Sequence, residues 1–194
     1  MLHQLGEFAE AEASPREGFS LESDPHRKAL ASNTLGVVLM DMARYPEAMA
    51  AFEDAIRMWA DRGTGHREVA EVWLRQGREP AEALDRARRA LEIDRASPAL
   101  GTETHNLRVA EDSALLAWAI AANSPDAQQV ECLLAEAFPL CANSAKAIQA
   151  QVHFYAGHAY AALKMRAKSE SHFKSTLILI AVRPPRPRDV GHEN

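Results

Sequence analysis

Glycine and proline are scarce, nine and ten of 194 residues, and those present gather at boundaries between apolar stretches. The bulk is Ala, Glu, Arg and Leu, a composition that favours helix over strand. Runs of alternating apolar and polar β-branched residues are missing too. The nearest, Thr176 to Val182, continues a helical stripe. The fold class expected is therefore all-α. Excess positive charge is absent: the formal net charge is −5, which gives no general attraction to phosphate backbones and argues against a nucleic-acid partner. Cysteine is nearly absent, and Cys132 and Cys141 have neither the spacing of a zinc site nor a disulfide framework, so a reducing cytoplasm is the expected location. There is no basic stretch followed by an apolar signal core, and no apolar run near the roughly 20 residues a membrane span needs.

What is present is helix punctuation. Asp24-Pro25 reads as an N-cap followed by a first-turn proline, because Asp accepts from free backbone N–H groups and Pro has none to leave unused. A helix is expected from about Pro25 to Ala43. A second opens at Pro46 and ends near Asp61 and Gly63, and Gly77 and Pro80 repeat the stop and start. Ser124-Pro125 supplies another cap and first turn, Pro139 ends or kinks the helix that follows, and Asn143-Ser144 marks a boundary. Lys164 to Arg166 connects to a last helix that Pro184-Pro185 must end. Such short turns force consecutive helices to pack antiparallel as hairpins. Apolar residues recur at helical spacing: Leu35, Val38, Leu39 and Met42; Ala48, Phe52, Ala55 and Ile56; Leu133, Leu134, Ala137 and Phe138. One hairpin alone cannot bury these stripes, so the hairpins must stack.

Set against itself, the chain shows a repeat. Leu35-Gly36, Tyr45-Pro46-Glu47-Ala48, Phe52 and Ala55-Ile56 resemble the tetratricopeptide repeat, whose period is about 34 residues. Gly157, Tyr160, Phe173 and Thr176 form another copy with the same glycine-to-aromatic spacing. Glu82-Ala83, Ala87, Ala90-Leu91 and Asp94 resemble a second half whose first helix departs by placing Glu71 where glycine is usual. A degenerate copy spans about Thr102 to Cys141. Gly6 to Ala11 resembles the start of a second helix, so the first hairpin is half missing: either a lone capping helix or part of a longer array. Ser14-Pro15-Arg16-Glu17 could open a further short helix as a capping box. The resemblance implies a right-handed superhelical stack over residues 1–182, with a half repeat at 1–23, repeats at about 25–63, 64–97, 102–142 and 144–182, and a disordered tail at 183–194.

The resemblance also implies a function, the binding of another polypeptide in a concave groove lined by the first helices, without catalysis or cofactor. The family's ligand-contacting positions fall on Leu30, Asn33, Val37, Met40 and Asp41; on Glu68, Val72, Arg75 and Gln76; and on Gln151, Phe154, His158, Ala161 and Ala162. Val37, Val72 and Phe154 stand where members that grip a C-terminal carboxylate carry polar groups, so an apolar groove for a partner with hydrophobic anchors is expected. Homo-association through the N-terminal half repeat is a further expectation. A second reading is the sensor or effector part of a larger bacterial transcriptional regulator or signalling ATPase.

Other chemistry finds little support. His153 and His158 lie about 140° apart around a helix, unlike paired metal ligands. No phosphate loop or nucleophile motif appears. Cys132 reads as a buried filler, Trp59, Trp73 and Trp118 as packing residues. The arginines between Arg75 and Arg95 read as a solvated face paired along one helix, Glu82 with Arg86, Asp85 with Arg89 and Arg88 with Glu92.

Overall fold

The structure is a computed structural model describing residues 12–13, 15–97 and 102–181. Among these there is no strand. A helical stretch at residues 15–21 precedes α1 (Pro25–Asp41), α2 (Tyr45–Met58), α3 (Thr64–Gln76), α4 (Pro80–Ala96), α5 (Thr102–Asn123), α6 (Ala127–Cys141), α7 (Lys146–Ala162) and α8 (Arg166–Ala181). Each helix packs on its successor, and the first helices also meet one another, α1 with α3, α3 with α5 and α5 with α7. That second set of contacts makes the hairpins a solenoid with an inner face of first helices. Residues 1–11 and 183–194, on which the half repeat and the tail were expected, lie outside the described residues.

The punctuation acts as its chemistry requires. The Asp24 side chain accepts from the N–H of Arg27, with Pro25 beginning the helix. Ala43, Gly77 and Lys164 all adopt a left-handed backbone, with φ of 56°, 61° and 60°. In each turn the next residue donates its N–H to a carbonyl five residues back: Arg44 to Leu39, Arg78 to Trp73, Met165 to Tyr160. This closure satisfies helix-end carbonyls that would otherwise be unpaired. Two boundaries differ from expectation. The cap of α6 is Asp126, which accepts from Gln129 N–H, because its oxygen reaches the free amides while Ser124 and Pro125 stay in the turn. Pro139 lies inside the last turn of α6.

Close approach within hairpins follows from the small residues. A methyl group added to Gly36 would lie 2.4 Å from the Phe52 ring, and one on Gly157 would lie 2.7 Å from Phe173. The rings fill the notch the missing side chains leave. One apolar cluster joins Leu39, Met40, Ala48, Phe52, Val69 and Val72. A larger one runs from Ala70 through Leu115, Trp118, Val130 and Leu134 to Tyr155 and Tyr160. Three expectations about side-chain surroundings are revised. Cys132 is exposed and Cys141 buried, since Cys132 faces away from the stripe of Val130, Leu134 and Ala137. The arginines of α4 pair mostly across helices or at a different spacing: Arg86 with Glu53, Arg95 with Glu136, Arg88 with Asp85, Arg89 with Glu92. Neighbouring helices bring carboxylates nearer than the i,i+4 positions do. Among the tryptophans, Trp118 is buried, while Trp59 stacks on His26 at 4.5 Å with the Arg62 guanidinium over its ring.

Candidate binding face

Four first helices converge on one hollow of about 300 Å³. From α1 come Val37, Met40 and Asp41; from α3 Arg67, Glu68, Glu71 and Arg75; from α5 Glu111; from α7 Ala147, Ile148, Gln151 and Tyr155. Its floor is charged and buried. Glu71 is 1% exposed; counted from the left-handed turn residues Ala43, Gly77 and Lys164, the position of Gly36 and Gly157 falls on Ala70 and not, as expected, on Glu71, which stands one residue on, in the register of Val37 and His158. Glu71 accepts from Arg75 Nε at 2.7 Å and from the Tyr155 hydroxyl, so α3 is bonded to α7 across the inner face. Burial pushes the Tyr155 phenol well above its ordinary range, with Glu71 and Glu68 adding to the effect, so it remains a donor.

Behind the floor lies a second layer. Arg67 Nη1 sits 3.0 Å from Glu111 and 3.3 Å from Asp112, and Nη2 lies 3.4 Å from Glu68. Burial penalises this cation, but Glu111, Asp112 and Glu68 more than offset the penalty and hold it protonated. Asp112 is fully buried; burial pushes its carboxyl well up against the pull of Arg67, and Asp94 and Glu111 push the same way. Asp94 ties the layer to the chain's turns, accepting from Gly63 N–H at 2.9 Å and pairing with Arg108 at 3.0 Å. Burial raises Glu68 to about 7, with Glu71 and Glu111 adding to the rise and Arg67 opposing it.

A second, wider hollow of about 750 Å³ adjoins the first and shares Arg75. It is lined by Trp118, Phe154, His158, Ala161 and Ala162, with Tyr45, Leu74, Gln76 and Gly77. His158 stacks on Trp118 at 4.4 Å and meets Phe154 edge-on at 4.6 Å. Burial, with Arg75 nearby, lowers the His158 pKa and keeps the ring neutral. The Arg75 guanidinium lies over Phe154 at 5.5 Å, besides pairing with Glu71 and Asp41.

The residues expected at ligand-contacting positions thus divide. Val37, Met40, Asp41, Glu68, Arg75 and Gln151 line the first hollow. Phe154, His158, Ala161, Ala162 and Gln76 line the second. Leu30 and Asn33 line a separate small cleft with Trp59 and Arg62. Val72 reaches none of these: it is fully buried in the α1–α3 core, because the register of α3 turns that position inward. Nor is the central hollow the apolar groove expected from Val37, Val72 and Phe154, since its floor is built of carboxylates and guanidinium groups. Arg67, Glu71, Glu111 and Tyr155 were not anticipated there. A visible signal existed in Glu111, Asp112 and Ser113, the polar residues of the otherwise apolar run from Val109 to Ala121.

Residues 29–61 match the tetratricopeptide repeat family, and the crystal structure of BtubC (BKLC) from P. vanneervenii is similar across 99% of this chain and 82% of that one, with a TM-score of 0.59 and 19% identity. The chain has the fold of a tetratricopeptide-repeat solenoid. The crystal structure of MamA resembles this solenoid over 92% of each chain, with a TM-score of 0.51 and 16% identity. At such identities the likeness establishes the fold alone. No curated protein matches the sequence. Among the described residues no helix of this tetratricopeptide solenoid is long and apolar enough to cross a membrane.

Proposed function

We propose that this chain is a protein-interaction scaffold that takes up a polypeptide segment along its concave face. The observation that carries the reading is the convergence of α1, α3, α5 and α7 on one hollow that continues, at Arg75, into an aromatic one. An extended or helical segment spans such linked hollows, placing apolar anchors against Phe154 and Ala162 and polar groups against the charged floor. The reading includes no catalysis.

The test is affinity capture from the native cell with the wild type and with Val37→Glu combined with Phe154→Glu, followed by mass spectrometry. Both positions are half-buried, so the helices should survive, as circular dichroism will show. Proteins enriched by the wild type should be lost from the variant. Undiminished capture by a helical variant would place the binding surface elsewhere.

A further inference from the structure

We infer that the hollow between α1, α3, α5 and α7 receives the cationic side chain, lysine or arginine, of the segment bound along the concave face. This rests on the scaffold reading above and names what its central hollow recognises. Charge is the first argument. Four carboxyl groups line the hollow, Asp41, Glu68, Glu71 and Glu111, against two guanidinium groups, Arg67 and Arg75. Arg67 is shared with a further buried carboxyl, Asp112, behind it. In a concave site such an excess of acid favours a cation.

Glu68 is the second, independent argument. It is 7% exposed, yet lines the hollow. Its Oε1 has one donor, the Arg67 guanidinium at 3.4 Å, and its Oε2 accepts from nothing among the described residues. Glu71, by contrast, has both oxygens engaged, one by Arg75 and one by Tyr155. A nearly buried carboxyl with one oxygen unused, on a solvent-reachable hollow, is placed to accept from a donor that arrives there. An ammonium or guanidinium at the end of a long aliphatic stem fits the opening, with its stem against Val37 and Ile148 and its charge on Glu68.

The groups facing Glu68 are Asp41 from α1, Arg67, Glu71 and Arg75 from α3, Glu111 with Asp112 from α5, and Tyr155 from α7. Because Glu68 holds its proton up to about pH 7, taking up a cation releases that proton, and binding tightens as pH rises through neutrality.

The test uses the full chain and small probes: the methylamides of Nα-acetyl-lysine and Nα-acetyl-arginine, with uncharged Nα-acetyl-norleucine methylamide as control, followed by amide NMR shifts. Either cationic probe should shift Glu68, Glu71, Glu111 and Gln151 and bind about tenfold more tightly than the norleucine probe. Whichever of the two binds more tightly identifies the preferred side chain. Glu68→Gln should weaken the cationic probes by about tenfold, and Glu111→Gln should weaken them less. Exposed Glu92→Gln should change nothing. The inference falls if the three probes bind alike, if the shifts lie away from the hollow, if folded Glu68→Gln binds as the wild type does, or if calcium alone shifts these residues. Capture lost on Val37→Glu with Phe154→Glu but no cation preference would leave the scaffold reading standing and this one overturned; the reverse pattern would do the opposite.

Discussion

The outer hairpins and the middle of the solenoid solve the same packing problem differently. In α1–α2 and α7–α8 a phenylalanine ring fills the notch above a glycine, so the contact is apolar and local. The hairpin of α3 and α4 has no ring there: counted from the left-handed Gly77, the glycine position falls on Ala70, which is fully buried, as is Ala87 of α4. The next residue, Glu71, faces inward, where it meets Arg75 and Tyr155. The small residues serve the hairpin; the buried charge beside them builds the hollow, and such departures from local rules are expected where a surface has another use.

The contrast is broken most severely by removing the central cation. Arg67→Met should cost about 3–5 kcal/mol, because Asp112 and Glu68 stay buried without their partner. Denaturant titration measures it. The pH dependence carries a sign. Buried carboxyls whose folded pKa lies above the unfolded value contribute stability at low pH that is lost as pH rises toward the folded value, and losing Arg67 raises those values further. The deficit should therefore be smaller at about pH 5 than at about pH 8. A uniform deficit below about 1 kcal/mol would mean the layer is not held by charge.

Exchanging the two solutions sharpens the comparison. Gly36→Ala should destabilise by about 1–3 kcal/mol, since the added methyl meets a fully buried ring. Glu71→Gly should destabilise by about 2–4 kcal/mol, through a helical glycine and a Tyr155 hydroxyl left without its acceptor. If Glu71→Gly proved neutral or stabilising in thermal melts, the bond from α3 to Tyr155 would carry no weight in the fold. The smallest effect concerns the turns, where three of the four hairpins agree. Ala43→Gly and Lys164→Gly should each gain up to about 1 kcal/mol by relieving a left-handed backbone. Gly77→Ala should lose a similar amount, because nothing lies within 4 Å of the added methyl and the backbone alone decides.

The glycine–phenylalanine pairs were legible because both partners sit at a fixed separation and interact in one hairpin. The same holds for Asp24-Pro25. The buried charge layer was not legible in the same way. Glu68, Glu71 and Arg67 look like an ordinary polar face until α5 and α7 are placed over them, and Tyr155 reaches Glu71 from two repeats away. Arg86 and Arg95 teach the same lesson on the outside: their carboxylate partners lie on other helices, which spacing along one helix cannot reveal. Val72 was misplaced because one shift in the register of α3 exchanges a groove position for a core position.

The hydroxyl of Tyr155 on the carboxylate of Glu71 has a mechanical consequence. Repeat arrays bend like springs because each unit touches only its neighbours, and the width of the inner face changes as they do. Here a strut crosses that face between helices two repeats apart. It fixes the local curvature, so the hollow keeps one aperture until the strut breaks. A guest that drew the Glu71 carboxylate away from Tyr155 would free the coil to open, coupling occupancy of the hollow to the pitch of the whole array.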